Sequence, residues 1–186
     1  MELHRFLVIV AIAMVLILVI VVSFFPPIDD FGTDNPFWNG TKHTSSVISF
    51  SPLPSLLDLP SSPSESTLIL IPYLKFAPPE LDELSRFLSR SGTLVIADDY
   101  GFGNQVLEHL GLKVRFSGQN LLDPLINYKN KWFPRIYCVT PSSLTNNSDN
   151  LVFNHATALL NVDTNDVLAW ASCVSFLDLN GNEQWD

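Results

Sequence analysis

TLILIPYLKFAPPELDELSRFLSRSGTLVIADDYGFGN, residues Thr67 to Asn104, is the stretch that decides the fold. Thr67-Leu-Ile-Leu-Ile-Pro72 is a continuous apolar run, the pattern of a strand covered on both faces of a parallel sheet. Pro78-Pro79 then opens a helix, with Glu80, Asp82 and Glu83 in the first turn, where carboxylates complement the positive end of the helix dipole. Leu81, Leu84, Phe87 and Leu88 give that helix one apolar face, and Arg86 and Arg90 suit its C-terminal end. Gly92 stops the helix, and Thr93-Leu-Val-Ile-Ala97 is a second buried strand. Strand, helix, strand predicts a βαβ unit in a parallel sheet.

Working outward from this unit, Asn104 to Leu110 is a second short helix with Val106, Leu107 and Leu110 inward, stopped by Gly111. Leu112 to Phe116 alternates as a strand. The chain then turns β-rich at Ile136–Thr140, Leu151–Asn154 and Val167–Phe176. On the other side, Ser51 to Ser66 carries four prolines (Pro52, Pro54, Pro60, Pro63) and reads as a surface loop with a turn over Ser55–Leu59. Val47 to Phe50 is a short strand candidate. The expected class is α/β: an open, mainly parallel, flavodoxin-like sheet with helices on both faces.

Phe6 to Phe25 is apolar without a charge, long enough to cross the ~30 Å hydrocarbon core as one helix. A cleaved signal peptide has a shorter apolar region and a small-x-small cleavage site, whereas this run ends in Ser23-Phe-Phe-Pro-Pro27. Residues 1–5 are then a cytoplasmic stub, 6–25 a transmembrane signal anchor in contact with membrane lipid, 26–38 a linker stopped and wetted by Pro26-Pro27 and Asp29-Asp30, and 39–186 an extracytoplasmic domain. Arg5 before the run and Asp29, Asp30 and Asp34 after it set that orientation. The chain has 19 acidic and 10 basic residues, a formal charge of −9. It lacks the Lys/Arg clusters through which nucleic acid and anionic headgroups are bound, so neither is an expected partner.

The segment from ILIP at Ile69–Pro72 through PPELDELSRFLSRSGTLVIADD is similar to the glutamine-amidotransferase-like domains of auxiliary transport and surface proteins. More narrowly, GTLVIADDYGFGNQVLEHLGLKVRF, the LLDPL of Leu121–Leu125 and the terminal FLDLNGNEQWD look like the archaeal membrane proteins grouped as DUF4350. That resemblance implies an amidotransferase-like α/β fold without a known reaction, on an anchored chain often carrying a further membrane helix at its other end.

In an open parallel sheet the ligand crevice lies outside the carboxyl ends of the strands. Here that marks Tyr73, Asp98, Asp99, Tyr100, Gly101, Gly103 and Asn104 as candidate ligand-binding residues. Adjacent carboxylates at a strand end point in different directions, so Asp98 and Asp99 do not make a paired acid and base, and turn formation is the competing role. A phosphate loop is disfavoured, because Val106 stands where a dinucleotide pattern places its third glycine and two carboxylates flank the site. No Cys or Ser occupies the strand-to-helix turn, so the catalytic set is expected to be empty, with His109 and His155 on unrelated elements. Asp178, Asn180, Asn182 and Asp186 occupy positions one, three, five and nine of an EF-hand-type loop, which reads equally as a weak structural calcium site or as an Asn/Asp-rich β-turn. Glu183 replaces the sixth-position glycine, and the twelfth-position carboxylate falls past the last residue, an expectation of truncation.

Cys138 and Cys173 lie in β-like stretches and either pair or remain small buried hydrophobes. Asn39-Gly-Thr41 and Asn146-Asn-Ser148 are glycosylation acceptor patterns. Phe37, Trp38, Trp132 and Phe133 either line a groove or pack beneath loops. These features favour a membrane-anchored, non-catalytic binding or assembly module with a protein partner in a membrane complex. The alternative is a surface-polymer hydrolase using Asp98 or Asp99 as base or metal ligand.

Overall fold

In the computed structural model, which describes residues 2–24, 28–37, 39–145 and 148–185, the chain divides into two units, 1–54 and 55–186. The first begins with helix α1, Glu2–Phe24. Its stretch Leu3–Ser23 has 21 residues, none of them buried, and is long and apolar enough to cross a membrane. At 1.5 Å per residue it spans about 31 Å. The hydroxyl of Ser23 donates to the carbonyl of Val19 at 2.7 Å, the back-bond that satisfies a hydroxyl inside a helix.

Beyond α1, Asn35 organises the chain from Ile28 to Thr41. Its buried side chain donates to the Asp29 carbonyl (2.9 Å) and to Asn39 Oδ1 (3.1 Å), and accepts the Phe37 N–H (2.9 Å). Helix α2 follows at Lys42–Val47. The expected strand at Val47–Phe50 does not form: Val47 closes the helix, and Ile48 and Phe50 are exposed outside any strand. Trp38 and the prolines Pro26 and Pro27 lie outside the described residues.

In the second unit a 3-10 turn at Leu56–Asp58 is capped by Ser55, whose hydroxyl accepts the Leu57 N–H at 3.2 Å. The βαβ unit is present: β1 (Thr67–Leu70) and β2 (Thr93–Ile96) pair in parallel, Thr67 opposite Thr93 and Leu70 opposite Ile96. Helix α3, Pro78–Ser89, connects them. Glu80 caps it by accepting the Ala77 N–H at 2.7 Å. Leu81, Leu84 and Phe87 are buried, and Leu81 and Leu84 form the core with Val106 of α4 (Asn104–His109), against Leu68, Leu70, Leu94 and Ile96. At the end of α3 the left-handed residue is Ser91, with φ +69°, not Gly92. Gly92 answers a different demand: a Cβ there would come within 2.4 Å of the Phe87 ring.

From Arg115 onward the chain is antiparallel. Strand β3 (Arg115–Phe116) pairs with β9 (Leu159–Leu160), and β4 (Asn120–Leu122) with β11 (Phe176–Asp178). β5 (Asn127–Tyr128), β6 (Asn130–Ile136) and β8 (Leu151–Val152) form a three-stranded sheet, while β7 (Cys138–Val139) pairs with β10 (Ala169–Trp170).

The expected open, mainly parallel sheet with helices on both faces is therefore overturned. Parallel neighbours need crossovers of a dozen or more residues, usually helical, and among the described residues α3 provides the crossover between β1 and β2. After α4, strands of two to seven residues pair antiparallel. The apolar run of β1 misled for a related reason: both strands alternate between partly buried and exposed. Leu68, Leu70, Leu94 and Ile96 pack on the helical core, while Ile69 is 51% exposed and Val95 46%.

Candidate functional site

The parallel register sets the carboxyl ends of β1 and β2 side by side, and the Ala97 N–H donates to the Leu70 carbonyl at 3.0 Å. The candidate residues at these ends fall into two groups. Asp98, Gly101, Gly103 and Asn104 are tied into the loop itself. Asp98 Oδ1 accepts the N–H groups of Tyr100 (2.9 Å) and Gly101 (3.0 Å), and Oδ2 accepts that of Gly103. The backbone amides that would cradle an anion are thus filled by the protein's own carboxylate, a local charge-assisted turn. Gly101 has φ +91°. Gly103 is buried, and a Cβ on it would lie 3.0 Å from Asp98 Oδ2, Ile96 and the Phe116 ring. Asn104 pins α4 to β3: its Nδ2 donates to the Phe116 carbonyl (2.9 Å), and its Oδ1 accepts the Phe116 N–H (2.8 Å).

Tyr73, Asp99 and Tyr100 form the second group and are exposed, Tyr73 at 72% and Tyr100 at 73%. Tyr73 borders an open, mostly apolar hollow of about 240 Å³ lined by residues 70–76 and Glu80. Gln105 holds its rim, donating to the Phe76 carbonyl and accepting the Phe76 N–H at 2.9 and 2.8 Å. The strand-end region is therefore a hydrogen-bonded loop that carries exposed aromatic side chains, Tyr73 and Tyr100.

The remaining candidates are dispersed. His109 faces Asp82 at 3.4 Å, while His155 stacks on Trp132 (5.0 Å) and meets Phe133 edge-on (5.7 Å). The Ser172 hydroxyl donates to Asp123, a buried carboxylate that also accepts the N–H groups of Leu125 (3.0 Å) and Ile126 (2.6 Å). Sequence reasoning noted LLDPL without assigning Asp123 this anchoring role; the Asp-Pro pair, a turn signal, marks it. Cys138 and Cys173 are free, exposed thiols, neither bonded to each other nor buried. Asn146, Asn147 and Asp186 lie outside the described residues.

At the end of β11 the chain turns through Asp178, Asn180 and Asn182. Asp178 Oδ1 accepts the Glu183 N–H (3.2 Å), Asn180 Oδ1 the Asn182 N–H (2.9 Å) and Asn182 Oδ1 the Gln184 N–H (2.8 Å). Among the described residues no three His, Cys, Asp or Glu side chains converge as a metal site.

No curated protein and no solved structure matches the chain. The model of a domain of unknown function, DUF4350, matches residues 41–172. That match covers well over half of the 186 residues, and the chain belongs to the DUF4350 family.

Proposed function

We propose that this protein is a membrane-tethered assembly module, non-catalytic, held by α1 with its second unit outside the cytoplasm, and that a protein partner in a membrane complex covers the open side of β1 and β2. The observation that carries this reading is the exposure of Ile69 and Val95 on that side. Covering the half of each side chain that is still exposed is worth about 1 kcal/mol apiece. Tyr73, Leu74 and Tyr100, in the segments after β1 and β2, are also exposed. Large apolar side chains left exposed on a folded domain favour a protein contact when they lie together. An apolar helix or sheet face on the partner is the complementary chemistry. For the competing hydrolase, both oxygens of Asp98 are already occupied by backbone N–H groups, which leaves that reading to Asp99.

The test is cross-linking and affinity capture of the full chain from native membranes, comparing wild type with Ile69→Lys/Val95→Lys and with Asp99→Asn. We expect a stoichiometric partner with wild type and Asp99→Asn, and its loss with the double lysine variant. Equal capture by the double lysine variant sinks the proposed surface.

A further inference from the structure

We propose that the β5–β6 hairpin binds a small organic acid through its carboxylate, with Arg135 as the two-pronged donor, Lys129 as a second cation, and Tyr128 and Tyr137 as aromatic walls. Strand alternation sets Arg135 of β6 on the side opposite the buried Pro134 and Ile136. The centre of its guanidinium lies 5.7 Å from the Tyr128 ring and 5.8 Å from the Tyr137 ring. Lys129 Nζ lies 5.0 Å from the Tyr128 ring. All three distances are within cation–π range, and among the described residues such contacts fall in this hairpin. Both tyrosines are exposed.

The observation pointing to a ligand is the unmet donor capacity of Arg135. A guanidinium carries five N–H donors in a fixed fork. Nη1 donates to the Tyr137 hydroxyl at 2.9 Å, whereas Nε is buried and has no hydrogen-bond partner. Neither Arg135 nor Lys129 enters an ion pair among the described residues. A buried donor without an acceptor is costly, the more so on a charged group. With Nη1 engaged by Tyr137, the edge formed by Nε and Nη2 is the one left to a ligand. Two parallel N–H groups match the two oxygens of a carboxylate. Exposed side chains change rotamer within nanoseconds, so the two tyrosine rings give a ligand access to that edge. A chain at −9 repels anions at long range, which confines the attraction to these short contacts and keeps the affinity modest. None of these residues belongs to the β1–β2 face, and the site does not depend on the partner proposed for it.

The full chain in detergent is titrated with sodium glucuronate, a carboxylate on a sugar ring, and with N-acetylglycine, a carboxylate as a peptide end carries it. Two-dimensional NMR follows the arginine Nε–H groups and the backbone amides. We expect a saturable shift of one arginine Nε–H, the one missing in Arg135→Lys, with Kd of about 10⁻³ M, as suits a ligand of this size. A response to one acid alone identifies the kind of molecule that brings the carboxylate. Arg135→Lys keeps the charge but not the fork, and should weaken binding about fivefold or more. Lys129→Gly removes the second cation at a position whose φ of +72° suits glycine, and should weaken binding about twofold to fivefold; it keeps the proposal falsifiable if the first variant fails to fold. No saturable shift with either acid, the same shift from sodium chloride at matched ionic strength, or undiminished affinity in either variant overturns the site.

Discussion

Asp98 shows how a residue that looks like chemistry at a strand end serves the backbone instead. Its two oxygens accept three N–H groups of the following loop, those of Tyr100, Gly101 and Gly103, and Asp99 beside it is exposed. Hydrogen bonds to a charged acceptor contribute more than neutral ones, and removing the acceptor leaves its donors unmatched. Asp98→Ala is expected to destabilise the full chain by about 2 kcal/mol, and Asp98→Asn by about 1 kcal/mol, because the amide still accepts on one side while its NH2 opposes the Gly103 donor. Asp99→Ala should stay within about 0.5 kcal/mol of wild type. Thermal and denaturant unfolding of the three variants checks this, and equal losses at positions 98 and 99 would contradict it. The sequence made the pair conspicuous, but which carboxylate turned inward depended on Gly101 and Gly103 presenting their N–H groups. Pattern alone does not carry that geometry. The same holds for Ser91 and Gly92, where the helix stop was legible but the division of labour between a left-handed serine and a glycine under the Phe87 ring was not.

At the scale of elements, β1, α3, β2 and α4 were legible because their signals are local: Pro78-Pro79, the Leu81–Leu84–Phe87 face and two β-branched runs. Their surroundings were not. A four-residue apolar run looks alike whether one face or both are covered, and only the alternation of Leu68 and Leu70 inward with Ile69 outward separates the cases. Strands of two residues such as β3 and β9 exist through their partners, and no periodicity announces them. Val47–Phe50 illustrates the converse, since β-branched and aromatic residues there do not form a strand. Helix α1 was legible from length and apolarity alone, and its orientation has a direct test in the two exposed thiols of the second unit. With Arg5 on the cytoplasmic side, Cys138 and Cys173 should react in intact cells, after mild reduction, with a membrane-impermeant maleimide. Labelling only after the membrane is permeabilised would reverse the orientation.

For the whole molecule, the charge of −9 is consistent with the proposed contact through apolar area, because a net negative chain repels anionic partners at long range. The proposed tether through α1 would strengthen that argument: confinement to a membrane raises the effective concentration of a co-resident partner, so a modest apolar contact would suffice for occupancy. Membership in the DUF4350 family assigns no ligand, and the strand-end loop is closed upon its own carboxylate, which directs attention to the open side of β1 and β2. The most direct measurement is site-specific photo-cross-linking in native membranes, with the photoreactive residue placed in turn at Ile69, at Val95 and at the buried Leu84 as control. The account predicts one discrete adduct shared by positions 69 and 95 and absent at position 84. No adduct at either strand position, with the protein folded and in the membrane, would contradict it.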